Sequence, residues 1–156
     1  MFTVLFICTG NTCRSPMAEW LFRRQLHMLE LEEQIHVESA GLFAVDGGAL
    51  SSGAKNVLAR NFSVQADTHQ ARSLNQTMID YADLIITMTT QHKEAVLKRY
   101  PNAKNKLFTL LQYAFEGMGD IADPFGAPDE VYEEIAFTID EACTVIAHRM
   151  KEQLGK

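Results

Sequence analysis

The chain opens on an apolar run, Phe2 to Ile7, that passes through Cys8-Thr9-Gly10-Asn11-Thr12-Cys13-Arg14 into Ser15-Pro16 and a helix-length segment carrying Trp20, Leu21 and Phe22. A strand that feeds a helix through a short loop is the first half of a parallel crossover and points to α/β architecture. The same loop is built to hold an anion. Backbone N–H groups that run from the carboxyl end of a strand into a first helical turn lack partners within the helix and converge on one spot. Gly10 supplies the positive φ or close backbone approach that such a curl needs, and Asn11 is among the few other residues that tolerate left-handed geometry. Ser15 followed by Pro16 reads as helix N-cap and first helical position. Cys8 starts the loop, where N–H dipoles and the fixed charge of Arg14 favour a thiolate nucleophile. The planar fork of Arg14 can meet two phosphate oxygens at once. As a bare motif C-x5-R is weak. The strand before it, Gly and Asn within it and Ser-Pro after it give it force.

Further along, strand-length apolar runs alternate with helix-length amphipathic segments, the pattern of a parallel sheet with helices on both faces. Strands are expected over 2–7, 35–39, 84–88 and 106–110, the third of them central and buried on both sides. Helices are expected over 16–29 and 54–60, a helical turn or two over 74–81, then a helix capped by Thr89 or Thr90 and stopped by Pro101. A last helix from Asp129 should turn Ile135, Ile139, Ala142, Cys143, Ile146 and Met150 to the core. The stretch 111–128 shows no period and carries Asp123-Pro124, so it reads as a long functional loop. A length of 156 residues with 47% hydrophobic residues suits one domain over 1–156. The net charge of −6 argues against a nucleic-acid partner. No run approaches the roughly 18 apolar residues of a membrane span, and three cysteines are too few for a disulfide framework. The expectation is a cytoplasmic monomer with no membrane partner. His27, His36, His92 and His148 show no metal-ligand spacing, so neither metal nor cofactor is implied.

Residues 8–19, CTGNTCRSPMAE, resemble the phosphate-binding loop of the low-molecular-weight protein tyrosine phosphatase family. Ser39-Ala40-Gly41, His69-Gln70-Ala71-Arg72 and Asp123-Pro124-Phe125-Gly126 follow in the family's order, so the resemblance spans essentially the whole chain. It implies a Rossmann-like three-layer sandwich with strand order 2-1-3-4, which puts the first strand inside and the cradle at the switch point where such folds bind ligands. It also implies a phosphocysteine route on phosphorylated proteins. Cys8 would attack phosphorus, while Arg14 and the loop residues Thr9, Gly10, Asn11, Thr12, Cys13 and Ser15 bind the phosphate. Asp123, stiffened by Pro124, would be general acid and then general base. Ser15 would donate to the thiolate, and Asn11 would keep the curl through side-chain contacts to Ser39 and His69.

The identity of the phosphoryl donor turns on Thr12. Many tyrosine-specific members carry Ile or Leu there, two aromatics after Asp-Pro where this chain has only Phe125, and a Trp or Tyr in the loop that is 42–53 here. The sequence is similar to the bacterial protein-arginine phosphatase branch, in which that threonine favours phosphoarginine. The expected reaction is hydrolysis of the P–N bond of phosphoarginine in proteins, with Phe125 walling the guanidinium. A tyrosine phosphatase is the alternative. An arsenate reductase of the same fold is a distant one, because it needs relay cysteines and residues 80–100 contain none. Cys13 either traps an oxidised Cys8 as a reversible disulfide or is a small buried filler, and Cys143 belongs to the core.

Overall fold

Alternation along the strands decides the layers of the computed structural model, which describes residues 1–155. In β1 (Phe2–Cys8) the side chains of Val4, Phe6 and Cys8 join one buried cluster, and those of Leu5 and Ile7 join another on the opposite face. The pleat sends successive residues to opposite sides, so a strand buried on both must be apolar throughout. The same division holds in β3 (Leu84–Thr87), where Leu84 and Ile86 face one cluster and Ile85 the other. With β2 (Ile35–Gly41) and β4 (Leu107–Thr109) these form one parallel sheet of order β2-β1-β3-β4. This is the expected topology, and it places β1 inside.

Helices cover both faces. On one side lie α1 (Arg14–Met28), α2 (Ser52–Phe62), α5 (Leu110–Phe115) and α6 (Asp129–Leu154). On the other lie α3 (Gln76–Tyr81) and α4 (Thr90–Arg99), followed by a 3₁₀ turn over Pro101–Lys106. The long α6 buries Tyr132, Ala136, Ile139, Cys143, Ile146 and Met150, a helical stripe close to the expected one. Ile135 is only partly buried. Thr89 is the cap of α4, accepting from the His92 N–H at 3.0 Å.

Two elements differ from expectation. The first helix begins at Arg14, with Cys13 in the N-cap position and no side-chain cap, so Ser15 lies inside the first turn. Its hydroxyl is spent on the cradle instead of the helix end. Pro16 is still tolerated, because N–H groups in the first turn have no helical partner to lose. The second difference is α5, which occupies the start of a stretch read as irregular. Thr109 accepts from the Gln112 N–H at 3.2 Å and Gln112 reaches back to the Thr109 N–H, a capping box that starts this short helix. Glu116, at φ 55°, ends it in left-handed geometry.

The carboxyl end of β2 lies directly against the loop after β1. Leu42 N–H donates to Cys8 O at 3.0 Å and Phe43 N–H to Thr9 O at 2.9 Å. A Cβ added to Gly41 would stand 2.5 Å from Thr9 O and 3.0 Å from Asn11 N, both backbone atoms. Gly41→Ala is therefore expected to lower the urea unfolding midpoint by the equivalent of about 1–3 kcal/mol, the usual cost of forcing backbone apart in a packed region. An unchanged midpoint would mean that the loop backbone retreats freely.

Candidate active site

Cys8 ends β1 almost fully buried, with its sulfur 2.9 Å from Ser15 Oγ. Ser15 Oγ accepts from Asn11 Nδ2 at 2.9 Å, which leaves its own proton for an acceptor. The choices are the Cys8 sulfur at 2.9 Å and Ala40 O at 3.5 Å, and the shorter contact makes the hydroxyl a donor to sulfur.

That orientation rests on Asn11. Its side chain is wholly buried, and its backbone sits at φ 57°, left-handed geometry that costs a non-glycine residue about 1–3 kcal/mol. Nδ2 donates to Ser15 and to Ser39 Oγ, each at 2.9 Å, and Oδ1 accepts from the Arg72 N–H at 2.9 Å. Asn11 O faces His69 Nε2 at 2.9 Å, so that nitrogen carries the proton. His69 thus supports the main chain of Asn11, and the side-chain contact expected of it is made by Arg72. Gly10 was expected to supply positive φ or close backbone approach, and positive φ is not what it supplies. A Cβ there would meet only Thr12 Oγ1, at an ordinary 3.7 Å.

The network continues into residues to which the sequence reading gave no role. Ser39 Oγ donates to Glu19 Oε1, and this buried carboxylate pairs with Arg23 four residues on. The i,i+4 spacing of Glu19 and Arg23 was the available signal.

On the opposite flank, Arg14 is buried, donates through Nη1 to Ile121 O at 2.9 Å, and holds Nη2 3.8 Å from Asp123 Oδ2. The Asp123 side chain is 58% exposed, and its Oδ1 accepts from the Phe125 N–H at 3.1 Å. A turn closed by Ala127 N–H on Pro124 O, with Gly126 at φ 79°, holds this segment. The segment is tied back through Ile121 N–H to Met88 O at 2.9 Å and through Asp120 Oδ1, which accepts from the N–H and hydroxyl of Thr90. Phe125 is 72% exposed. A second ring, Phe43 at 69%, stands on the loop after β2 with the Arg99 guanidinium 4.8 Å over it. Residues 42–53 lack Trp and Tyr, and Phe43 supplies an aromatic ring there instead.

Thr12 is half-buried, and its carbonyl accepts from the Ser51 N–H. Cys13 is a free thiol that donates to Ser51 Oγ at 3.1 Å and lies 3.5 Å from the Tyr132 hydroxyl. Burial, with smaller contributions from Cys13 and Asp123, pushes the Tyr132 phenol up to about 12 against the pull of Ser51. Cys143 is buried among apolar side chains, which pushes its thiol up. His92, which shows no metal-ligand spacing in the sequence, reaches the cradle. Its Nε2 is 2.8 Å from Thr9 Oγ1. Burial first, and then the Arg14 guanidinium, lower it to about 4, outweighing Asp120 and Asp123. No group of three potential metal ligands occurs among the described residues.

A family model described as low molecular weight phosphotyrosine protein phosphatase matches residues 3–156. The chain belongs to that family. This phosphatase is 44% identical over 154 residues to a protein-arginine-phosphatase of Geobacillus stearothermophilus, a match covering 98% of this chain and 96% of the other. It is 34% identical over 131 residues to the low molecular weight protein-tyrosine-phosphatase PtpB of Staphylococcus haemolyticus, covering 84% and 87%. The solved structure of a YwlE arginine phosphatase whose active-site cysteine is replaced by a phosphorylated serine superposes with a TM-score of 0.92 at 33% identity, covering 96% of each chain.

The lowered pKa of His92 carries a stability prediction. The folded phosphatase binds fewer protons than the unfolded chain between about pH 4 and 6.5, so protons favour unfolding there. Stability from this group is complete above about 6.5 and is lost as pH falls towards 4. The urea midpoint of the wild type should drop more steeply across that window than that of His92→Gln. Parallel pH profiles would refute the assignment.

Proposed function

We propose that this protein hydrolyses phosphoarginine in proteins through a phosphocysteine intermediate. The observation that carries the proposal is the Cys8 sulfur held by the Ser15 hydroxyl in a cradle whose Arg14 reaches towards Asp123. Cys8 attacks phosphorus in line and the P–N bond breaks, while Asp123 delivers a proton to the departing guanidine nitrogen. Arg14 and the amides of residues 9–15 hold the equatorial oxygens, where most of the rate enhancement of such transfers arises. The side of Gly10 that a Cβ would fill is nearly empty, which leaves room for them. Water then attacks the phosphocysteine, Asp123 takes its proton, and inorganic phosphate leaves with the Cys8 thiolate restored. Ser15 stabilises that thiolate both before attack and as leaving group.

Arginine is favoured as the side chain that carries the phosphoryl group by two features. Asp123 presents an exposed carboxylate to a guanidinium at the rim, beside the ring of Phe125. Thr12 adds a hydroxyl where an aliphatic residue would make an apolar floor. The protein-arginine-phosphatase name of the relative at 44% identity points the same way. A tyrosine phosphatase is the second reading, supported by PtpB and by the exposed rings of Phe43 and Phe125, which suit a phenyl ester as well.

The same proposal takes 1–156 as one phosphatase domain working as a cytoplasmic monomer on phosphorylated proteins, with no metal, cofactor, nucleic acid or membrane partner. Three free cysteines suit a reducing compartment, and the net charge of −6 disfavours nucleic acid. Among the described residues no helix is long and apolar enough to cross a membrane. Cys13, in the same loop as Cys8, is the candidate partner for a protective disulfide.

Thr12→Ile is expected to lower the ratio of kcat/KM for phosphoarginine over phosphotyrosine in matched peptides by about tenfold or more. A wild type that prefers phosphotyrosine, with the ratio unmoved in the variant, would remove the arginine assignment. Asp123→Asn should lower kcat on phosphoarginine peptides by roughly 10²–10⁴ and cost less with p-nitrophenyl phosphate, whose leaving group needs little protonation. Equal losses on both would place Asp123 in phosphate binding instead.

A further inference from the structure

The steps above make no use of His92, although it is buried against the cradle. Its Nε2 lies 2.8 Å from Thr9 Oγ1, and its Nδ1 is buried with no hydrogen-bond partner among the described residues. A neutral imidazole carries its proton on one nitrogen and a lone pair on the other. Were the proton on Nδ1, a buried N–H would have no acceptor, which native structures rarely tolerate. With the proton on Nε2, only a lone pair goes unmet, the smaller deficit. The ring is neutral near pH 7, because burial and Arg14 oppose its charge more than Asp120 and Asp123 favour it. Nε2–H therefore donates to Thr9, whose hydroxyl keeps its own proton for another acceptor. Thr9 is exposed and directly follows Cys8. His92 approaches it from the start of α4, the helix end that also anchors the Asp123 segment through Thr90 and Asp120.

We propose that His92 is a positioning residue that turns the Thr9 hydroxyl so that it donates to a phosphoryl oxygen held over Cys8. This rests on the phosphatase reading of the site, though not on which side chain bears the phosphoryl group. The cradle then binds the dianion with a side-chain hydroxyl besides Arg14 and the backbone amides. Because the His92–Thr9 bond exists in the free protein, the hydroxyl is oriented before substrate arrives. Charge-assisted hydrogen bonds of this kind are stronger than neutral ones, so the contact is large enough to measure.

The test combines Thr9→Val, His92→Phe, His92→Gln and the Thr9→Val/His92→Phe double variant. Each is assayed for kcat/KM on p-nitrophenyl phosphate and on a phosphoarginine peptide, and for the dissociation constant of inorganic phosphate. Nitrogen NMR of the wild type near pH 7 reads the tautomer. Thr9→Val and His92→Phe are each expected to lower kcat/KM and weaken phosphate binding about tenfold. The double variant should lose no more than the worse single one, because both remove the same contact. His92→Gln, whose amide N–H can still donate to Thr9, should recover most of the loss. A proton on Nδ1, losses that multiply in the double variant, or wild-type behaviour of Thr9→Val would each overturn the proposal. Should His92→Phe fail to fold, Thr9→Val and the tautomer decide it. A wild type that turns over neither ester nor phosphoarginine refutes the phosphatase reading, while phosphate binding by Thr9→Val still scores the hydroxyl.

Discussion

The site depends on one strained backbone. Asn11 is held left-handed in a fully buried position, and the roughly 1–3 kcal/mol that this costs is met by three side-chain bonds and one to its carbonyl. The consequence reaches the sulfur. Asn11 Nδ2 occupies a lone pair of Ser15 Oγ, and that occupation is what turns the serine's proton to Cys8. An Asn11 free to relax into ordinary geometry would release Ser15 to rotate, and the nucleophile would lose its neutral donor. Two partners of Asn11 are fixed in turn from elsewhere. Ser39 is steadied by Glu19, Glu19 by Arg23, and the Arg72 N–H by the pairing of Arg72 O with the Gly41 N–H. Glu19 illustrates why such a carboxylate is acceptable in a protein interior. It is buried, yet it accepts from both a hydroxyl and a guanidinium, so no charge is left unpaired.

The sheet order explains how parts so distant in sequence meet. With β1 inside, the carboxyl ends of β2 and β3 flank the end of β1. From β2 come Ser39 and the tight approach at Gly41. From the end of β3 come Met88 O, which fastens Ile121, and Thr89, which starts the helix carrying His92. The segment after α5 then brings Asp123 over the top, so Asp123 and Cys8 are 115 residues apart in the chain but belong to one rim. Buried, dry strands hold this rim in place, and the loops supply the chemistry.

Features that depend on nearest neighbours in sequence were legible in advance: the strands, a threonine cap at the start of α4, the apolar stripe of α6 and the strand-loop-helix turn that carries Cys8 and Arg14. Features that depend on what a group meets across the fold were not. Ser15-Pro16 carries a sound helix-start signal, but the hydroxyl is claimed by Cys8 and Asn11, so the helix starts earlier without a side-chain cap. Glycine is the usual residue at positive φ, yet the cradle puts that strain on Asn11 because only an amide side chain can join Ser15, Ser39 and Arg72 at once. His92 gave no sign of its role, since Thr9 lies 83 residues away. The helix α5 is a different case. Its Thr109-x-x-Gln112 capping box is local and readable, and it was obscured by the glycines and the Asp-Pro pair that follow it.

In the proposed reaction the Asp123 segment joins proton transfer and recognition in a single turn. Phe125 N–H holds Asp123 Oδ1, so the oxygen left for proton transfer is Oδ2, the one that lies towards Arg14. The same bond fixes the main chain from which the Phe125 ring projects. The turn itself is closed at Gly126, whose φ of 79° few other residues adopt at low cost. Backbone ties at Ile121 and a buried Pro124 anchor it to the protein, while the carboxylate stays exposed. In the proposed reaction, a substrate side chain entering between ring and carboxylate meets a wall and a proton donor carried by three consecutive residues. On the proposed reading, a change of leaving group from phenol to guanidine must be accommodated beside this turn, which ties the choice of substrate to Asp123-Pro124-Phe125-Gly126 as well as to Thr12.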